Sequence, residues 1–92
     1  MTKREMIDSL MKEFNKVTGH DPVAWRTVDG RNVSTVGTFV FDGNIGGYHV
    51  EQIDNEGGGV SCPFGYERYS QTRFIQHLKT AIAAAQINVK GV

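Results

Sequence analysis

Two amphipathic segments lie at the ends of the 92-residue chain, and this pattern limits the possible folds more than any other feature of the sequence. In residues 3–17, apolar side chains recur at spacings of three and four, which places them on one face of a helix. Thr2 is the expected N-cap, Glu5 completes a capping box, and Gly19 supplies the left-handed residue that ends a helix. The apolar face consists of Met6, Ile7, Leu10, Met11, Phe14 and Val17.

A second helical pattern occupies the C-terminal part of the chain. Ser70 is its expected N-cap, because a hydroxyl can accept a hydrogen bond from a free backbone N–H in the first turn. Residues 87–92 are predicted to be a frayed or edge-packed tail. The apolar face of this helix consists of Phe74, Ile75, Leu78, Ala81, Ile82 and Ala85.

Between the helices, the helical period gives way to the alternation that is typical of antiparallel strands. Residues 29–32 and 42–47 are predicted to close two hairpins, because Asp and Gly accept the positive φ of tight turns. The side of the middle strand that carries Phe39 and Phe41 is expected to meet the helices. The predicted strands are residues 23–28, 33–41 and 48–53, with a short fourth strand at residues 60–62.

The predicted order is therefore α-β-β-β-(β)-α, an α+β fold in which N- and C-terminal helices flank an antiparallel sheet of three to four strands. With 39% apolar residues, residues 1–92 are predicted to form a single domain. No apolar run is long enough for a membrane span, and the charged residues 1–5 do not resemble a signal peptide. The single cysteine, Cys62, excludes an internal disulfide framework and suits a reducing cytoplasm.

The charges are balanced over the whole chain but separated along it. Ten basic and ten acidic residues give a net charge of zero, yet residues 1–20, 21–59 and 60–92 carry net charges of +1, −4 and +3. The strand region is therefore acidic at its turns, and the flanking segments are basic. This division is typical of a surface that docks on a partner through charges of both signs.

Six residues in these regions are candidates for partner binding, because exposed loops carry function more often than other segments. The same regions include a basic and aromatic strip, with Tyr66, Tyr69 and Lys79, that could hold a phosphate backbone or stack a base. Packing of the tyrosines on the sheet, with solvated arginines, is an equal alternative. The six candidates are Arg31 and Asn32 at the first hairpin tip, Asp54 and Glu56 in the glycine-rich connection, and Arg68 and Arg73 near the last helix.

One set of residues could act as a nucleophilic centre: Cys62 with His49 and either Asn55 or Asp54. A reactive thiol needs a lowered pKa, and Cys62 precedes a proline instead of a helix N-terminus. A small buried thiol is therefore the favoured interpretation, and we expect the protein not to be an enzyme.

Patterns for metal and phosphate binding are weak. His20, His49 and His77 lie on three separate predicted elements without the short spacing of metal ligands, so no metal site is predicted. The glycines at residues 57–59 lack the Lys-Ser/Thr and the helix of a phosphate-binding loop. Glu51, in a strand, is expected to be solvated and not paired with a second carboxylate. The sequence therefore predicts no cofactor.

The order helix, three strands, helix resembles the double-stranded-RNA-binding domain in topology. That family contacts RNA through its first helix, the loop between its first two strands, and lysines at the start of its last helix. In place of those lysines this chain has Tyr-Glu-Arg-Tyr-Ser at residues 66–70, so no site residue is carried over. A small stand-alone RNA- or DNA-binding module is accordingly the alternative function.

As a whole, the chain resembles the phage-encoded type I-F anti-CRISPR proteins, in particular their eighth described family. The resemblance rests on the length of 92 residues, the opening Met-Thr-Lys-Arg-Glu-Met-Ile, and a glycine-rich middle without a catalytic motif. It implies a non-enzymatic, monomeric inhibitor in the cytoplasm of a bacterial host. The implied partners are Cas protein subunits of the guide-RNA surveillance complex, with guide RNA as a second candidate contact, and docking would block hybridisation of target DNA.

Overall fold

The computed structural model describes the backbone of residues 1–90 and the side chains of residues 1–87. Two helices, α1 (Lys3–Val17) and α2 (Gln71–Lys90), flank antiparallel strands, which confirms the predicted α+β class. The strands are β1 (Trp25–Val28), β2 (Arg31–Ser34), β3 (Phe39–Asn44), β4 (Gly47–Ile53) and β5 (Val60–Ser61).

Helix α1 begins and ends as the sequence predicts. The Thr2 hydroxyl accepts a hydrogen bond from Glu5 N at 3.1 Å, and the Glu5 carboxylate accepts one from Thr2 N at 3.0 Å, which completes the capping box. The Thr2 backbone N–H, with a smaller contribution from the Thr2 side chain, lowers the pKa of Glu5. Gly19 follows the helix with a φ of 80°, as the predicted helix end requires.

The predicted middle strand at residues 33–41 is wrong, because the structure divides it into two strands of different sheets. β2 pairs with β1 in a two-stranded sheet, and β3 belongs to a second sheet with the order β3-β4-β5. The chain turns between them at Gly37, whose φ of 96° lies outside the strand region. The hydroxyl of buried Thr38 stabilises the turn by donating to the Asp21 carbonyl at 2.7 Å. Five strands in two sheets also differ from the three-strand order of the double-stranded-RNA-binding domain.

Both hairpin turns are shorter than predicted. Asp29 and Gly30 alone close the first one, with φ values of 52° and 77°, because a type I′ turn needs positive φ at both central residues. Arg31 and Asn32 are therefore the first residues of β2 and not part of the turn. The second turn is likewise reduced to residues 45–46, since β3 and β4 pair up to that point.

The remaining element boundaries differ by a few residues. β5 is the predicted short fourth strand and pairs with the end of β4, whereas β1 begins two residues later than predicted. Ser70 caps α2 by accepting a hydrogen bond from Arg73 N at 3.3 Å. The predicted tail from residue 87 is wrong as far as residue 90, because no glycine or proline interrupts the helix before that point. Residues 91–92 of the predicted tail lie outside the described residues.

The two helices pack against each other and against one face of the β3-β4-β5 sheet. Phe39 lies in the core and Phe41 packs at its edge, which confirms the side of the sheet that was expected to meet the helices. In the part of the chain that the structure describes, no helix combines the length and the apolar character needed to cross a membrane. The buried core consists of Ile7, Met11, Phe14, Phe39, Phe74, Ile75, Leu78 and Ile82.

One polar side chain, that of Asn15, is buried beside this core with 1% exposure. Its amide nitrogen donates to the carbonyls of Phe39 and Met11 at 2.9 and 3.0 Å, and its oxygen accepts from Phe39 N at 2.7 Å. Because β3 is an edge strand, these bonds satisfy backbone groups that would otherwise lack a partner. Asn15 therefore joins α1 to the edge of the sheet.

Candidate functional site

Most of the candidate binding and nucleophilic residues lie on two surfaces. The hairpin surface combines the β1–β2 hairpin with the turn that follows β4. The polar cluster lies on the face of the β3-β4-β5 sheet that points away from the helices. The hairpin surface comprises Arg26, Arg31, Asn32, Asp54 and Glu56, and the polar cluster comprises Asp42, His49, Glu51, Cys62 and Arg68.

The β1–β2 hairpin is the most exposed part of the strand region. Every residue of β1 is exposed, as are Arg31 and Asn32 at the start of β2. Arg26 forms an ion pair with Asp21 at the base of the hairpin. The pKa of Asp21 is lowered by a hydrogen bond from Val23 N and, further, by the Arg26 guanidinium. The hairpin therefore presents Arg31 without an acidic partner on the paired strand.

Hydrogen bonds attach the acidic turn to this hairpin. Ser34 N donates to the Glu56 carbonyl at 3.0 Å, and the Ser34 hydroxyl donates to the Asn55 carbonyl at 2.7 Å. The Asn55 side-chain oxygen accepts from the backbone N–H groups of Gly57 and Gly59, both at 3.0 Å, and so shapes the turn. As a result Glu56 and Arg31, which are far apart in the sequence, line one surface groove.

Arg68 is half-buried, bound by groups of the β3–β4 hairpin, and does not contribute to the hairpin surface. Its guanidinium donates to the Asp42 carboxylate at 2.6 Å and to the Gly47 carbonyl at 2.9 Å, and 26% of its side chain is exposed. Arg68 therefore attaches the loop after β5 to the β3–β4 hairpin. Arg73, by contrast, is exposed in the first turn of α2, so the structure separates two arginines that the sequence had grouped together.

Part of the predicted basic and aromatic strip is occupied by internal contacts. The Tyr69 ring lies 4.4 Å from the His77 ring, and its hydroxyl donates to Glu67 at 3.2 Å. Desolvation, followed by this hydrogen bond, raises the pKa of Tyr69. Tyr66 is 81% exposed and Lys79 is exposed. These two residues and Arg73 are the members of the strip that face solvent.

The polar cluster follows from the alternation of side chains along β4. His49 and Glu51 lie on the face opposite Tyr48 and Val50, which pack against the core. His49 Nε2 is 3.1 Å from a Glu51 carboxylate oxygen, and the donor atoms of His49, Glu51 and Cys62 all lie within 4.8 Å of one another.

The structure replaces one member of the candidate nucleophilic centre around Cys62. His49 lies beside Cys62, as the candidate nucleophilic centre requires. The Asn55 amide, however, is used in the glycine-rich turn, where it also donates to Asp54 at 3.2 Å. Glu51, and not Asn55 or Asp54, is the third residue beside Cys62 and His49. In the sequence, the His-x-Glu spacing of β4 indicates only that His49 and Glu51 lie on the same face of the strand. The pairing of β4 with β5 is needed to show that Cys62 lies beside them.

A cleft of about 230 Å³ lies between α2 and the loop after β5. Aromatic rings dominate it, and Phe64 packs its ring 6.0 Å from that of Phe14 although it is 64% exposed. Polar groups also line it, from His49, Glu67, Tyr69 and His77. The cleft therefore suits a small apolar group.

The fold and the two surfaces define an α+β protein with an exposed hairpin of mixed charge and a compact polar cluster that contains histidine, glutamate and cysteine side chains. No protein-family model, curated protein or solved structure matches the chain. The assignment of function therefore rests on the geometry and charges of its own surfaces.

Proposed function

We propose that this protein inhibits a type I-F CRISPR–Cas surveillance complex by docking on it stoichiometrically and preventing target DNA from pairing with the guide RNA. The observation that supports the proposal is the hairpin surface, where Arg31 and Glu56 line one groove on an exposed hairpin. Occupying the complex is sufficient for this activity. The protein would therefore act without catalysing a reaction and without a cofactor.

Both charges of the hairpin surface have a counterpart on such a complex. A channel that holds nucleic acid is lined with lysine and arginine side chains, which Asp54 and Glu56 can contact. Arg31 and Asn32 can bind phosphates of the guide RNA or an acidic surface of a Cas subunit. The proposed partners are therefore Cas protein subunits and the guide RNA, met by a monomer in the host cytoplasm.

Apolar side chains on the same hairpin can add affinity to this charged contact. Trp25 and Val28 of β1 are 54% and 45% exposed. Tryptophan and arginine are the residues that most often dominate the binding energy of interfaces, because they bury a large area and form several contacts. Val28 pairs with Arg31 and places an exposed apolar side chain beside it, whereas Trp25 lies on the other face of the hairpin. The hairpin therefore has the composition of a docking element.

A titration of the purified surveillance complex tests the proposal. The protein is added at increasing ratios before a labelled target duplex, and duplex binding is measured by fluorescence anisotropy. We expect duplex binding to fall to background at a fixed, stoichiometric ratio, because each occupied complex is removed from the binding population. Normal duplex binding at a large excess of the protein would contradict the proposed function.

The alternative function, a stand-alone RNA- or DNA-binding module, has support from the exposure of Tyr66, Arg73 and Lys79. A gel shift with free RNA and free duplex DNA at low salt separates the two functions. A backbone-binding module shifts free nucleic acid and loses affinity steeply as salt rises. An inhibitor that recognises the assembled complex leaves free nucleic acid unshifted.

A further inference from the structure

We propose that His49, Glu51 and Cys62 form a binding site for Zn²⁺ or a divalent ion of similar chemistry. The site lies apart from Arg31 and Glu56, and it goes beyond the docking function proposed above. Its basis is the convergence of three different metal-ligating side chains, whose donor atoms all lie within 4.8 Å of one another.

Strand pairing brings the three residues together. Gln52 pairs with Ser61 across the antiparallel strands β4 and β5. Glu51, one position before Gln52, therefore faces Cys62, one position after Ser61. Facing side chains on antiparallel neighbours have Cβ atoms about 4.5–5.5 Å apart. His49 precedes Glu51 by two residues and lies on the same face. Two of the three residues, His49 and Glu51, therefore lie within a regular β-strand.

The donor atoms match the coordination chemistry of zinc. Zn²⁺ binds thiolate sulfur, imidazole nitrogen and carboxylate oxygen at about 2.0–2.3 Å, so ligand atoms around a tetrahedral ion lie roughly 3.3–3.8 Å apart. The donor atoms of the cluster lie within 4.8 Å of one another, so binding requires side-chain rotations that draw them closer together. A mixed set of nitrogen, oxygen and sulfur favours Zn²⁺ over Mg²⁺ or Ca²⁺, which prefer oxygen ligands. Three protein ligands leave a fourth position for water.

The contacts of His49 independently indicate a ligand. Only 8% of its side chain is exposed, and Nδ1 is buried without a hydrogen-bond partner among the described residues. Nε2 lies 3.1 Å from Glu51 and 3.4 Å from Arg68 Nη2. The carboxylate requires Nε2 to donate, whereas the guanidinium requires it to accept. Internal contacts therefore do not satisfy this imidazole. An ion bound at Nε2 would remove the conflict there with the carboxylate, because both groups would then act as ligands.

The charges of the cluster suit a divalent cation. Arg68 forms a 2.6 Å hydrogen-bonded ion pair with Asp42, so their charges offset each other. A bound ion would displace the thiol proton of Cys62, so that Glu51 and Cys62 would supply two negative ligands and His49 a neutral nitrogen ligand. A divalent ion balances these two charges, which is the usual requirement of a buried metal site.

Calorimetric titration of tag-free, metal-depleted protein with ZnCl₂ tests the site. We expect one Zn²⁺ per chain, and we expect Cys62→Ser and Glu51→Gln each to weaken binding by at least about tenfold. CoCl₂ should produce a near-ultraviolet thiolate-to-cobalt absorption band that Cys62→Ser lacks. Zn²⁺ should also slow alkylation of Cys62 by iodoacetamide, since a metal-bound thiolate is protected.

Two matched variants serve as controls, because His49 is buried and its replacement can unfold the protein. His77→Ala removes an exposed imidazole, and Glu56→Gln removes an exposed carboxylate, so both should bind Zn²⁺ as the unmodified protein does. Absence of binding at equimolar Zn²⁺ would overturn the proposal. Equal affinity in Cys62→Ser and the unmodified protein would also overturn it, since the ion would then be adventitious.

Discussion

At the scale of single residues, Asn15 shows how one side chain connects two elements. It lies on α1, yet two of its hydrogen bonds are made with the backbone of Phe39 on β3, at 2.7 and 2.9 Å. The sequence pattern of α1 does not reveal this role, because an asparagine beside an apolar stripe is usually solvated. Its partner lies 24 residues away and is defined only when β3 takes its place at the sheet edge.

Replacing Asn15 by Ala should destabilise the protein by about 2–4 kcal/mol. The change removes three hydrogen bonds and leaves the Phe39 N–H and carbonyl buried without a partner. Urea unfolding followed by circular dichroism measures the loss of free energy of unfolding. Glu13→Ala, at an exposed position of the same helix, should change stability by less than about 0.5 kcal/mol. Equal stability of the two variants would contradict the assigned role of Asn15.

At the scale of elements, the capping box of α1 links helix stability to pH. The Thr2 backbone N–H holds the pKa of Glu5 below its ordinary value of 4.5, because the hydrogen bond favours the carboxylate. A folded-state pKa below the unfolded one means that this contribution is fully present above the unfolded pKa. It is lost as pH falls through the folded pKa.

Glu5→Gln should therefore be less stable than the unmodified protein at pH 7, and the difference should shrink as pH is lowered below about 4.5. Glutamine keeps an acceptor oxygen at the capping position, so the comparison isolates the charge. Thermal unfolding of both proteins between pH 7 and pH 3 measures the difference. Glu13→Gln, which lacks the capping contact, serves as the control. A difference that stays constant over this pH range would refute the assignment.

The elements also show where local patterns are sufficient. Both helices and the Asp29-Gly30 turn are encoded by spacing, capping residues and positive-φ preference, which all act over a few residues. The division of residues 33–41 is not encoded in this way, because alternation continues through Gly37. A hydrogen bond from Thr38 to the Asp21 carbonyl, 17 residues earlier in the chain, stabilises the break.

At the scale of the whole molecule, folding brings together some of the charges that are separated along the chain. The acidic turn is attached to the β1–β2 hairpin by Ser34, so Glu56 and Arg31 share one groove. Arg68, which belongs to the basic C-terminal segment, is paired with Asp42 of the acidic segment. The hairpin surface therefore keeps charges of both signs exposed, while part of the basic strip is neutralised internally.

Arg31→Glu should raise the concentration of protein needed for half-maximal inhibition of duplex binding by about tenfold or more. The change reverses a charge at the centre of the proposed contact and leaves the fold intact, because the side chain is exposed. Lys12→Glu makes the same change of charge on the exposed face of α1 and should inhibit normally. An equal loss in both variants would show that net charge, and not the hairpin surface, determines docking.

The sequence by itself determined the two helices with the capping box of α1, the α+β class and the side of the sheet that meets the helices, because periodicity and capping act over neighbouring residues. Tertiary structure alone decided that the strands form two separate sheets, where residues 33–41 divide, and that Arg68 is bound by Asp42. It also decided that His49, Glu51 and Cys62 converge. Each of these depends on partners distant in the sequence, and a pattern along the chain carries no information about which partners meet.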